Sequence, residues 1–70
     1  MYQDEIKRVT EHQIAEFIDK WDRDKKNSPC VLLLAKIHKG LYVAVDNTTQ
    51  DCWTEEFKKK KKAIKWLKRA

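Results

Sequence analysis

The chain has 70 residues, 41% of them hydrophobic and 39% charged, with one glycine, one proline and a net charge of +5. That supports a single small domain spanning 1–70. It excludes a membrane-spanning helix, since no apolar run nears the ~20 residues required. It also excludes collagen, coiled-coil and repeat architectures, since no period recurs.

The first nine residues are ambiguous. Ile6 and Val9 are the only aliphatic residues after Met1, so 1–9 reads either as a frayed, disordered terminus or as a short edge strand. The polar start, Met1-Tyr2-Gln3-Asp4-Glu5, lacks the basic and apolar regions of a secretory leader. A helix is then signalled clearly. Thr10-Glu11-His12-Gln13 fits a capping box, in which the Thr10 hydroxyl and the Gln13 side chain satisfy each other's backbone N–H groups. Val9 and Ile14 are placed as a hydrophobic staple, and Ile14, Phe17, Ile18 and Trp21 form one apolar stripe at helical spacing. The helix should fade near Asp24–Lys26, before the breaker Asn27-Ser28-Pro29.

A β-hairpin follows, from Val31–Ile37 and Leu41–Val45. A two-residue turn would pair polar with apolar positions. A three-residue loop ending in a left-handed Gly40 pairs Ile37 with Leu41, Ala35 with Val43 and Leu33 with Val45, which makes one face wholly apolar. The reverse face carries Leu32, Leu34, Lys36, Tyr42, Ala44 and Asp46 and is half apolar, so partial cover is expected there too. After the polar turn Asp46–Asp51, Cys52–Phe57 reads as a third strand with Trp53, Glu55 and Phe57 on one side. The last segment reads as a helix with Ala63, Ile64 and Leu67 on its stripe. Trp53 and Trp66 are read as core residues, with base stacking, together with Tyr42, as the alternative. The expected fold is therefore α+β: a three-stranded antiparallel β-meander with an N-terminal and a C-terminal helix packed on the sheet. A core of this size supplies only about 3–5 kcal/mol net, so every apolar face must be used, or a dimer must help.

Charge is distributed unevenly. Residues 58–70 hold Lys58, Lys59, Lys60, Lys61, Lys62, Lys65, Lys68 and Arg69 and no acid, whereas residues 1–57 hold eight basic and eleven acidic residues. A mildly acidic body thus carries a strongly basic tail, which implies an anionic partner. The lysines also break a local rule. A helix N-terminus favours Ser, Thr, Asp or Glu, and this one begins with five lysines and no cap residue. Such departures concentrate at functional sites. Lysines on a helix suit phosphate-backbone contact, which displaces counterions without reading sequence. The same run also fits a solvated face that keeps a small domain soluble, a field partly neutralised by Glu55 and Glu56 just upstream, or an internal partner for the first helix, whose residues 11–24 carry five acids and two bases. A membrane-surface role for this basic amphipathic stretch is disfavoured, because the sheet needs its apolar stripe.

Catalytic and cofactor motifs are missing. Gly40 is the only glycine, so there is no phosphate-cradling loop. His12, His38, Cys30 and Cys52 do not follow metal-ligand spacing. Cys30 and His38 lie at opposite ends of one strand, about 25 Å apart at ~3.3 Å per residue. Neither a catalytic residue, nor a metal site, nor a cofactor is expected. Two cysteines without a CxxC pair read as free thiols of a cytoplasmic protein.

Trp53, Phe57 and Ala63 fall at a Trp-x3-Phe-x5-Ala spacing, which joins the last strand to the helix in three-stranded-sheet-plus-helix DNA-binding domains of the integrase N-terminal type. In outline the tail resembles those domains, and the resemblance implies DNA contact through an exposed sheet face. This chain departs from them in offering Lys36, Tyr42 and Asp46 there instead of a row of arginines, and in its additional first helix. The function expected is non-catalytic binding: a nucleic-acid module whose C-terminal cations, residues 58–62, 65, 68 and 69, contact DNA or RNA phosphates. The alternative is a small protein-interaction or inhibitor domain that meets an acidic protein surface or forms a homodimer.

Overall fold

Thr10 starts the first helix as the capping box requires. Its hydroxyl accepts from Gln13 N–H at 3.0 Å, and Gln13 Oε1 accepts from Thr10 N–H at 2.9 Å. In the computed structural model, which describes residues 5–69, the elements are β1 (Ile6–Arg8), α1 (Glu11–Arg23), β2 (Leu32–Lys36), β3 (Tyr42–Asp46), β4 (Trp53–Phe57) and α2 (Lys60–Leu67), with 3-10 turns at Lys25–Asn27 and His38–Gly40.

The α+β class holds, but the sheet is not a three-stranded antiparallel meander. It has four strands in the order β1-β2-β3-β4, and β1 runs parallel to β2, with Ile6 opposite Leu32 and Arg8 opposite Leu34. Of the ambiguous stretch 1–9, residues 6–8 are this edge strand, and residues 1–4 lie outside the described residues. A parallel neighbour needs a crossover, and α1 with the following loop provides it. Val9 N–H extends the pairing to the Leu34 carbonyl at 2.9 Å.

The hairpin has the register argued from its apolar face: Ala35 opposite Val43 and Leu33 opposite Val45, closed by Ile37 N–H to the Leu41 carbonyl at 2.8 Å. The turn needs two left-handed residues in succession, since both Lys39 and Gly40 have φ of 74°. β4 pairs antiparallel with β3, placing Trp53 opposite Asp46, Glu55 opposite Ala44 and Phe57 opposite Tyr42.

The two helices lie on opposite faces. Ile14 of α1 packs on Leu33, Ala35, Val43 and Val45, with Val9, Phe17 and Ile18 around them. Ala63 and Leu67 of α2 pack on Leu32, Leu34 and Ala44, flanked by Ile6, Tyr42, Phe57 and Trp66. β2 is apolar from Leu32 through Ala35 because both of its sides are covered. Only one face of the sheet read as fully apolar in sequence, yet both carry a helix.

Candidate anion-binding face

α2 is fixed from below by Ala63 and Leu67, both fully or almost fully buried. That anchoring sets the direction of every other side chain on the helix. With 3.6 residues per turn, Lys60, Ile64 and Lys68 fall on the flank facing β1, Lys61 and Lys65 point outward, and Lys62 and Trp66 turn toward β4. The contacts agree: Ile64 and Lys68 border a hollow with Ile6 and Arg8, and the Trp66 ring lies 5.9 Å from that of Phe57. Lys58 and Lys59 occupy the exposed link from β4, and Lys60 alone among the α2 lysines is half-buried.

The helix begins without help from any side chain. Lys59 takes the extended N-cap conformation, φ −121° and ψ 134°, but makes no capping bond, and the first turn holds no acid. Among the described residues the ion pairs are His12–Glu16, Arg23–Asp19, His38–Glu11 and Arg69–Asp46, so none neutralises a lysine of this run. The fold gives the reason. α1 carries the acidic residues Glu11, Glu16, Asp19 and Asp22 and lies across the sheet from α2. It is therefore not the internal partner that its charge could have made it.

Arg69 is placed differently from the lysines. Its guanidinium carbon sits 3.9 Å from the centre of the Trp66 ring, its Nη1 donates to the Trp66 carbonyl at 2.6 Å, and its Nη2 is 3.4 Å from Asp46 Oδ2. Asp46 also accepts from the Thr48 hydroxyl at 2.6 Å. Arg69 thus closes the C-terminal end of α2 onto the sheet, and the cations of the run that take part in no ion pair among the described residues are the seven lysines at 58–62, 65 and 68.

Two cations join the lysines that the charge run did not single out. Arg8 of β1 and Lys36 of β2 project on the α2 side of the sheet and line a cleft with Lys60 and Tyr42. Strand alternation was the available signal, since each stands two residues beyond an apolar residue of that face, Ile6 and Leu34. Using it for Arg8 required knowing that residues 6–8 form a strand.

Trp53 departs from its sequence reading. It is 58% exposed and stands out on the edge strand β4, where α2 does not reach over it. Trp66 is half-buried. Both sheet faces carry a helix, so the open sheet face implied by the integrase-type resemblance is absent: α1 covers the face away from α2.

Elsewhere, a hollow of about 590 Å³ beside α1 is lined by Phe17, Trp21 and Pro29 with both acids and bases on its rim, and offers no paired nucleophile and base. Cys30 and Cys52 carry free thiols, and burial pushes the Cys52 thiol up, away from the reactive thiolate. Among the described residues no group of three or more His, Cys, Asp or Glu side chains is placed to hold a metal. No helix among them is long and apolar enough to cross a membrane.

No protein-family model matches the chain, and neither a curated protein nor a solved structure does. The site must therefore be read from its own chemistry.

Proposed function

We propose that the protein is a non-catalytic binding module that contacts the phosphates of DNA or RNA through the lysines of α2 and of the link before it. The observation that carries this reading is the separation of charge by the sheet. The acids of α1 lie on one side, and the lysines of α2 lie on the other, where Glu55 and Asp46 also stand but, among the described residues, no lysine of α2 is ion-paired. A helix face of unpaired ammonium groups attracts a polyanion by counterion release. Lysine makes such contacts as a compact point charge that carries no base preference. Two free thiols support a reducing, cytoplasmic setting.

A salt series with duplex DNA, single-stranded DNA and RNA tests the reading. Affinity should fall as salt rises, and replacing Lys59, Lys60, Lys61 and Lys62 by Gln should flatten the duplex slope by up to about 3.6, at ~0.9 per phosphate contact. Salt-independent binding, or an unchanged slope in the variant, would defeat it. The protein-contact reading draws on one observation of its own, the exposed Trp53 on an edge strand. A concentration-dependent dimer in sedimentation, abolished by Trp53→Ser, would favour that reading.

A further inference from the structure

Where β3 begins and α2 starts, four elements meet around a shallow cleft of about 270 Å³. Arg8 comes from β1, Leu34 and Lys36 from β2, Tyr42 from β3 and Lys60 from α2, and Val9 completes the lining. None of these residues is acidic. Among the described residues Arg8, Lys36 and Lys60 take part in no ion pair. The chain segments that bring them together are distant in sequence, so this is a tertiary convergence and not a by-product of the lysine run.

Three cations gathered around one hollow repel each other until an anion enters. A phosphate oxygen placed among them turns those repulsions into attractions. Arg8 can offer a planar fork to two phosphate oxygens, Lys36 and Lys60 can supply point charges, and the Tyr42 hydroxyl can donate a further hydrogen bond. Leu34 and Val9 keep water from one side, which strengthens each polar contact. The hollow that Arg8 shares with Ile64 and Lys68 continues along the flank of α2, although Glu5 stands on its rim. This track runs in the angle between helix and sheet edge, below the outward lysines Lys61 and Lys65. Cations border that angle from both the helix and the sheet edge, an arrangement suited to a single backbone.

We propose that the cleft between β1 and the start of α2 is a phosphate pocket, holding one backbone phosphate of a single nucleic-acid strand through Arg8, Lys36, Lys60 and Tyr42. The choice of ligand rests on the nucleic-acid reading above. The pocket itself adds Arg8, Lys36 and Tyr42, which that reading does not use.

The test uses the full chain and two probes. With a short single-stranded oligonucleotide, Arg8→Gln/Lys36→Gln should weaken binding by about tenfold or more and flatten the salt slope by up to about 0.7, the share of the one phosphate that the pocket holds. Tyr42→Phe, which changes no charge, should also weaken it measurably. With inorganic phosphate followed by NMR, the signals of Arg8, Lys36, Tyr42 and Lys60 should shift together with one saturation constant, and not in the double variant. Arg8 and Lys36 are exposed, so the double variant should retain the native circular dichroism. If the double variant binds the oligonucleotide as the native chain does, the pocket is overturned and the nucleic-acid reading survives. Phosphate shifts scattered over the outward lysines would overturn the pocket as well. If phosphate saturates the cleft but no oligonucleotide binds at any salt, the phosphate chemistry stands and the strand assignment falls with the nucleic-acid reading.

Discussion

Asn47 has no exposed surface, yet all of its amide is used. Its Nδ2 donates to Ser28 Oγ at 3.0 Å and to the Pro29 carbonyl at 2.7 Å, and its Oδ1 accepts from Cys52 N–H at 3.0 Å. The side chain thus ties the loop after β3 to the loop before β2. Gln50 reinforces the tie, since its Nε2 donates to the Lys26 and Ser28 carbonyls and its own carbonyl accepts from the Trp21 indole. Truncating Asn47 to Ala should lower stability by about 2–3 kcal/mol, because each half-buried or buried group left unpaired costs about 1–3 kcal/mol. The urea midpoint should drop accordingly. A second residue-scale bond joins α1 to the hairpin turn: Glu11 accepts from His38 N–H at 3.1 Å, with its other oxygen 2.9 Å from His38 Nδ1. The His38 backbone bond, followed by the side-chain bond, holds the Glu11 carboxyl below its ordinary value. A depressed carboxylate contributes stability above its unfolded pKa and loses it as pH falls through the folded one. Denaturation midpoints followed from neutral to acid pH should therefore decline more steeply in the native chain than in Glu11→Gln.

At the scale of the element, α2 is the helix whose local chemistry opposes its fold. Lys59 already has cap geometry and lacks only an acceptor. Lys59→Asp should stabilise the protein by about 1 kcal/mol, by supplying that acceptor and complementing the helix dipole. If the lysines contact phosphates, the same variant should bind nucleic acid less tightly. Paired thermal melts and binding titrations would then move in opposite directions, whereas a purely solubilising lysine run predicts the melt to rise with nothing lost. The hairpin presents a smaller conflict, in that Lys39 holds a left-handed conformation beside Gly40. A left-handed residue with a Cβ costs about 1–2 kcal/mol. The apolar register on both sides of the turn outweighs that cost.

For the molecule as a whole, the sheet acts as a partition between charges. It keeps an acidic helix and a basic helix on opposite faces, a full layer of strands apart. Across such a span at physiological salt, exposed charges are largely screened from each other, because the Debye length is about 8 Å. The acids of α1 therefore do little to offset the lysines of α2, which share their side of the sheet with Glu55 and Asp46. Arg8 and Lys36 add to that side from the sheet, so the cationic surface is wider than one helix.

Much of the local structure was legible because the information lies within a few residues. Thr10 and Gln13 specify a helix start by themselves, and the apolar alternation of Leu33, Ala35, Val43 and Val45 allows one hairpin register. The basic tail after Phe57 could be read in the same way. Periodicity says which residues share a face but not which face of a sheet a helix will cover. That choice, with the parallel pairing of Ile6–Arg8 on β2, depends on contacts between segments far apart in the chain. It decided that α1 cannot neutralise the lysines, that Arg8 and Lys36 join Lys60 around one cleft, that Asn47 is buried and that Trp53 is not. The chain's own order of residues determined its elements and its lopsided charge. Only the tertiary packing decided where that charge faces, because long-range burial, and not local propensity, sets the side of the sheet on which each helix comes to rest.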